Sequence, residues 1–261
     1  MISKEINKRM QVGIRAARSA GKILELYFSK IRELKVKNNT PRDIFSKVDL
    51  MTEKEIYKTI IKKFKKDSFY GEEAGLIKNK GTFKWVVDPL DGTVNYTHGI
   101  PIYSVSIALF YENTCVVGII YEPKADEMFY ASLNNGAYLN GIKLTISKEV
   151  LLKNSLIIAA LPSKIKEKKK IYKSFAKINE SSRGVLRIGS AAIAYTYLVS
   201  GKVEGIWGYN NKIWDVAAGI LLLKEAGGKT STLKNKKYNY KGFLISSNNL
   251  IHNELLLKIH G

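Results

Sequence analysis

Three acidic clusters carry the residue types that metal-assisted hydrolysis needs. They are Gly71-Glu72-Glu73, Asp88-Pro89-Leu90-Asp91-Gly92-Thr93 and Trp214-Asp215. Each has an ordinary structural explanation: a solvated turn before Gly75, a Pro-x-Asp-Gly turn, and a helix cap at Asp215. Together they suggest more. The β-prone run 83–87 delivers Asp88 at the end of a buried strand, and Pro89 then forces a turn. That turn brings Asp91 back beside Asp88, with the Leu90 carbonyl between them. At Gly92 and Thr93 the backbone N–H groups can open a short helix and bind an anion. Carboxylates plus a carbonyl are hard oxygen ligands suited to Mg²⁺, which keeps several waters and takes the rest from substrate phosphate. Two such ions roughly 3.5–4 Å apart activate water and stabilise the leaving oxygen of an in-line phosphoryl displacement.

The elements that must position these residues follow from periodicity. Residues 2–28 repeat apolar side chains at helical steps, from Ile2 and Ile6 to Leu24 and Phe28. A second helix is expected over 49–65, opened by the Thr52/Glu55 capping-box spacing, with Ile56, Ile60, Ile61 and Phe64 as its apolar stripe. After residue 83 the period shortens. Runs 103–110, 116–121 and 128–131 read as neighbouring strands of one antiparallel sheet, and 134–141 as turns. The first half is therefore α+β. The second half alternates in the α/β manner. Strands are expected at 155–160, 185–188, 203–207 and 243–246, and helices at 164–178, 190–198, 215–226 and 249–259. The boundary falls between Gly141 and Ser155, dividing the chain into parts 1–145 and 146–261 that pack as one unit.

Composition narrows the class. The chain has 261 residues, 45% of them hydrophobic and 25% charged, which excludes a wholly disordered chain or a fibre. Cys115 is the only cysteine, so neither an intrachain disulfide nor a multi-thiolate zinc site can form. No stretch reaches the ~18–20 apolar residues of a transmembrane helix, and the first residues lack a signal-type apolar core. A cytoplasmic protein is expected. The 43 Lys+Arg against 23 Asp+Glu give a formal net charge of +20. The lysines are dispersed, and the one dense run, 164–170, contains a glutamate. No aromatic-interleaved basic strand accompanies them, so the charge reads as solvated surface rather than a nucleic-acid site.

The chain resembles the inositol monophosphatase family, within the superfamily that also holds fructose-1,6-bisphosphatases and 3′-phosphonucleotide phosphatases. The resemblance rests on GEEAG (71–75), WVVDPLDGTVNY (85–96) and WDVAAG (214–219), with GIPIYSVSIAL (99–109), GAYLNG (136–141) and RIGSAA (187–192). It extends from about residue 10 to 250, and archaeal dual-activity members look especially similar around GIPIYSVS. It implies a layered αβαβα sandwich, a homodimer, and two or three Mg²⁺ per active site. Glu72 would hold the first metal and orient the nucleophilic water, with the Leu90 carbonyl completing that site. Asp88 would bridge the metals, and Asp91 and Asp215 would hold the second. Thr93 would help polarise the water, Gly92 and Thr93 would cradle the phosphate, and Asp49 would support the site. Gly189 and Ser190 would line the substrate pocket, with Asp91 and Asp215 also facing substrate.

The departures lie on the substrate side. Inositol-specific members place a Glu six residues before the Trp-Asp pair, where this chain has Gly208. The segment 208–212 offers amides and Lys212, a cation able to meet a second phosphate. The expected substrate is thus a small sugar or polyol phosphate, inositol monophosphate or fructose 1,6-bisphosphate. A 3′-phosphoadenosine 5′-phosphate phosphatase is the nearer alternative, and a non-catalytic nucleic-acid-associated regulator the farther one. The loop 31–44 is expected to close over the site.

Overall fold

A computed structural model of the protein describes residues 2–30, 41–161 and 168–260. Most of the expected closing loop, 31–40, and the start of the helix expected at 164–178 lie outside the described residues.

Two sheets organise the chain. The first has eight strands in the order β2-β1-β3-β4-β5-β6-β7-β8. They are β1 (Ser68–Gly71), β2 (Gly75–Ile77), β3 (Phe83–Asp91), β4 (Ser104–Tyr111), β5 (Thr114–Glu122), β6 (Glu127–Ser132), β7 (Ala137–Leu139) and β8 (Ile142–Lys143). The second has five strands in the order β10-β9-β11-β13-β12. These are β9 (Leu156–Ala160), β10 (Gly184–Leu186), β11 (Gly205–Tyr209), β12 (Lys229–Ser231) and β13 (Phe243–Ser247). Seven α-helices are found among the described residues: α1 (Ile2–Phe28), α2 (Pro41–Ile61), α3 (Thr93–His98), α4 (Lys168–Ser181), α5 (Ala191–Val199), α6 (Ile213–Glu225) and α7 (His252–His260).

Three hydrophobic cores make five layers of this. Side chains alternate across a strand, so β3 sends Trp85 and Val87 to one face and Val86 to the other. The Trp85 face packs under α1 and α2, where Val12, Ala16, Ala20, Leu24, Ile56 and Ile60 are buried. The Val86 face meets α5 and α6, which are apolar nearly all round because a sheet lies on each side. Beyond the second sheet, Ile157, Trp207 and Ile245 pack against Ile171, Ile178, Leu255 and Ile259 of α4 and α7. The expected αβαβα sandwich is the observed fold.

Local expectations shift at several points. The second helix begins at Pro41, not near Thr52, and Pro suits a first helical position because its missing N–H would be unpaired there anyway. Thr52 is fully buried in mid-helix and caps nothing. The helix stops at Ile61, and Phe64 donates its N–H back to the Ile60 carbonyl across a turn. The first sheet is not purely antiparallel: β1 lies parallel to β3, while β3 to β6 form the expected antiparallel meander. Residues 137–143 make two short strands besides turns. β1, β2 and β12 are too short to announce themselves by periodicity.

Candidate metal centre and substrate cavity

The site begins with an irregularity in β3. Asp88 pairs with Ser106 and Asp91 with Ser104, so three residue steps on β3 match two on β4. Pro89 has no N–H to give to the ladder, and the extra residue is absorbed as a bulge. The expected turn after Asp88 is therefore a bulged continuation of the strand. Its effect is the one that matters for chemistry, since Asp88, Leu90 and Asp91 all line one cavity of about 610 Å³. Asp88 Oδ1 accepts the Leu90 N–H at 3.0 Å, which closes the bulge on itself.

Gly92 ends the bulge with φ 95, and a Cβ there would lie 2.7 Å from the Ile102 carbonyl oxygen. Only glycine fits that place. Thr93 opens α3 and donates its hydroxyl to the Leu90 carbonyl at 3.0 Å.

Asp91 reaches across to the second half of the chain. Its carboxylate accepts the Ser190 hydroxyl, the Ala191 N–H at 3.2 Å and the Ala192 N–H at 2.6 Å. It therefore sits on the positive end of α5, which Ser190 also caps through the Ile193 N–H. Asp215 lies in the first turn of α6 and accepts the Lys212 N–H at 2.8 Å. Ser106 of β4 donates to the Trp214 carbonyl at 3.0 Å, tying that turn to the sheet that carries Asp88.

Glu72 stands on the turn after β1. The residue is exposed overall, yet it lines the cavity beside Asp88, close enough for each charge to act on the other. Glu53 of α2 holds this turn in place: its two oxygens accept the Glu73 N–H at 3.0 Å and the Ala74 N–H at 2.7 Å. A Cβ on Gly71 would fall 2.2 Å from Glu53 Oε2, so the turn lies directly against that carboxylate.

The electrostatics follow from crowding negative charge away from water. Burial, then the charges of Glu72, Asp91 and Asp215, push the Asp88 carboxyl well above its usual range. Asp215 is pushed up to about 7 by burial and then by Asp91, partly opposed by the Lys212 N–H bond. Asp91 and Glu72 are raised mainly by burial as well. Asp49 is pushed up to about 8 by burial, followed by Glu73, Glu72 and Glu53, and its Oδ1 has no hydrogen-bond partner among the described residues.

Of the residues singled out in the sequence, Glu72, Asp88, Leu90, Asp91, Gly92, Thr93, Gly189, Ser190, Lys212 and Asp215 all line the one cavity. Asp49 does not; it is buried, close enough to Glu73, Glu72 and Glu53 to feel their charges. Three residues escaped the sequence reading. Glu53 lies one helical turn from Asp49, and that i, i+4 spacing was the available signal. Asn95 sits two residues past Thr93 in the same motif. It donates to the carbonyls of Ile102 and Ile188 at 2.9 and 2.8 Å, joining the two halves beside Gly189. Arg187 lines the cavity and no local pattern marked it, whereas Asn211, one of the amides of segment 208–212 noted in the sequence, lines it as well.

Among the described residues, no three His, Cys, Asp or Glu side chains form a ready-made metal cage. The donor set still fits Mg²⁺. It is all oxygen and is bunched where like charges repel. Mg²⁺ takes oxygen ligands and keeps several waters, so it does not need a complete protein cage.

A sequence model of the inositol monophosphatase family matches residues 6–260. The chain is 31% identical over 257 residues to the Nus factor SuhB of Pseudomonas aeruginosa, covering 96% of this chain and 95% of that one. It is 30% identical over 254 residues to a fructose-1,6-bisphosphatase/inositol-1-monophosphatase of Aquifex aeolicus, covering 97% and 96%. Its fold is similar to the solved structure of inositol monophosphatase from Anabaena (Nostoc) sp. PCC 7120, with TM-score 0.87, 29% identity and coverage of 98% and 96%. The special likeness to archaeal dual-activity members gains no support from these matches, since the relative named for both activities comes from a bacterium.

Proposed function

Because the chain belongs to the inositol monophosphatase family, we propose that it is a Mg²⁺-dependent phosphomonoesterase acting on a small sugar or polyol phosphate. The observation that carries this is the convergence of Glu72, Asp88, Asp91 and Asp215, from three separate segments, in one cavity where their carboxyls repel. Bound divalent cations would relieve that repulsion, polarise the phosphate and lower the pKa of a water. Glu72, Asp88 and the Leu90 carbonyl would hold one ion, and Asp88, Asp91 and Asp215 another.

The rest is done by this chain's own groups. The Thr93 hydroxyl has its proton committed to the Leu90 carbonyl, so its lone pairs are free to accept from the attacking water. Glu72 orients the same water. The Gly92 and Thr93 N–H groups cradle the phosphate. As the water oxygen bonds to phosphorus its proton passes to the Glu72 carboxylate, the ester P–O bond breaks, and the leaving oxygen takes a proton from a solvent water, so that the alcohol departs toward Gly189, Ser190 and Lys212. Asp49 supports the site, beside Glu53. The Aquifex relative's name supports inositol monophosphate and fructose 1,6-bisphosphate as the substrates to try first. A homodimer with two or three Mg²⁺ per site is the family expectation, and light scattering tests the former.

One phosphate-release panel decides the function: inositol 1-phosphate, fructose 1,6-bisphosphate and 3′-phosphoadenosine 5′-phosphate, each with and without Mg²⁺. Mg²⁺-dependent release from the first two is the expected result, and release from none overturns the reading. The SuhB relative's name and the +20 charge favour a second reading, a nucleic-acid-associated regulator. The full carboxylate set argues against it as the sole role. On the enzyme reading, nucleic acid binds only weakly, on the order of 10⁻⁴–10⁻⁶ M, and the affinity falls steeply with salt.

A further inference from the structure

Between β12 and β13 the chain carries Lys234, Lys236, Lys237 and Lys241 in a short connection. All four residues line a second cavity of about 310 Å³, together with Thr232 and Asn239. No Asp or Glu lines it, and among the described residues none of the four lysines has an ion-pair partner. Like charges gathered around one concavity repel one another, and an anion bound among them offsets that repulsion.

We propose that this cavity binds a compact oligophosphate, a small anion of two or more linked phosphate groups, at a site separate from the metal centre. The proposal goes beyond the phosphatase reading and does not depend on it.

The backbone that presents the lysines is held at both ends. At the first, Thr232 donates its N–H to the Lys236 carbonyl at 2.8 Å and accepts the Lys236 N–H on its hydroxyl at 3.2 Å. The Thr232 carbonyl also accepts the Asn235 N–H at 2.9 Å, and Asn235 takes φ 55, which asparagine tolerates better than most residues. At the second end, Asn210 donates its N–H to the Gly242 carbonyl at 2.9 Å and accepts the Gly242 N–H on its side chain at 3.1 Å. Between these ends exposure alternates. Lys237, Asn239 and Lys241 are exposed, whereas Tyr238 is buried in the core between the sheets and Tyr240 is half-buried beside it, with ring centroids 5.7 Å apart. The tyrosines anchor the segment from within and leave the lysines outside. A segment fixed in this way loses little backbone freedom when an anion binds.

The aromatic residues narrow the ligand. Single-stranded nucleic acid is held by stacking bases on accessible rings. The ring that lines this cavity belongs to Phe243, which is 8% exposed and packs against Tyr209 with centroids 4.8 Å apart. What the cavity offers is positive charge and hydrogen-bond donors, the partners of phosphate oxygens. Four ammonium groups match several linked phosphates better than a single one. The cavity also adjoins the active one. Asn210 lines the active cavity, and the Gly242 it bonds lies between Lys241 and Phe243, which line the second. No described residue lines both.

The test is calorimetric titration with tripolyphosphate in EDTA, which withdraws the divalent cations the metal centre needs. Saturable binding of about one tripolyphosphate per chain is expected, weakening as salt is added. Combining Lys236→Gln, Lys237→Gln and Lys241→Gln should weaken it about tenfold or more, the scale of several lost exposed ion pairs. Two controls should bind as wild type does. One is Lys212→Gln, in the active cavity. The other removes the same charge from Lys62, Lys63 and Lys65, which are exposed and line neither cavity. Absence of saturable binding overturns the proposal. An equal loss in the Lys62/Lys63/Lys65 variant would make the effect one of net charge alone, and a loss in Lys212→Gln would move the anion to the active cavity; either result overturns it. Single-stranded RNA that binds more tightly than tripolyphosphate through the same three lysines would assign the cavity to nucleic acid and overturn it as well.

Discussion

The two sides of the cavity are built on different principles. On the carboxylate side, three acidic groups are held by hydrogen bonds within the fold: Asp88 by the Leu90 N–H, Asp91 by the Ser190 hydroxyl and the start of α5, and Asp215 by the Lys212 N–H. On the alcohol side, Lys212 and Arg187 line the cavity and are exposed. The first side is fixed before any ligand arrives, as electrostatic stabilisation of a reacting centre requires. Chemistry common to a family can reside in the one while substrate choice changes in the other.

The largest effect should come from breaking the fixed side. Asp91→Asn replaces a carboxylate that accepts three donors with an amide that can satisfy fewer, and removes a charge from the expected second metal site. Phosphate release should fall by at least about 10²-fold, in the range of a lost stabilising group. The rise in melting temperature on adding Mg²⁺ should largely vanish. Unchanged release would sink the metal assignment.

Glu72→Gln keeps the side-chain shape and should cost about 10²–10⁴-fold in kcat with the fold intact, the span of a water-orienting or general-base role. Turnover within about threefold of wild type, well below that span, would make Glu72 a solvated turn residue. Glu53 tests whether the fixed side depends on its supports. In Glu53→Gln one of the two N–H acceptors of the 72–74 turn is lost. A fall of about 10–100-fold in kcat with KM little changed is expected, as for groups that orient metal ligands. An equal rise in KM would shift its role toward substrate binding.

The smallest effect should lie away from both sides, at His252. Its ring nitrogens meet the Ser231 and Ser247 hydroxyls at 2.8 and 2.9 Å. Burial, then Lys229, pushes it down to about 4 from an ordinary 6.5. Between those values the unfolded chain binds the extra proton, so stability rises with pH through the window and is complete above about 6.5. Lowering the pH from 7 to 4 should therefore cost wild type a few more degrees of melting temperature than His252→Gln, about 2–4 °C for each kcal/mol at this size. Matching profiles for the two proteins would remove His252 from the account, and kcat at pH 7 should not differ between them.

The contrast between the sides also explains what could be read from residue order. Asp88, Leu90, Asp91, Gly92 and Thr93 lie in six consecutive residues, and local rules on strands, turns and helix starts reach that far. Even there the form differed, because a missing N–H at Pro89 can be absorbed by a bulge as well as by a turn, and only the pairing with β4 selects one. The layers followed from period: helices apolar on one stripe lie outside, and α5 and α6, apolar throughout, lie between the sheets. That 208–212 offers amides was legible, but that Asn211 donates to the Ala160 carbonyl was not, because the two meet only when β9 and β11 are paired. Glu53 and Asn95 are similar cases, since their partners are backbone groups 7 to 93 residues away.

The bonds from Asp91 to Ser190 and Ala192 span 99 and 101 residues of chain. Closing so long a loop is entropically slow compared with forming a helix or a hairpin. A nascent or refolding molecule can therefore have most of its helices and both sheets in outline while its centre is still open. The positive end of α5 is then not yet seated on Asp91. Catalytic competence becomes a clock for the last stage of assembly. Circular dichroism should recover first in a refolding experiment, and phosphate release only when the two sheets have closed on the helices between them.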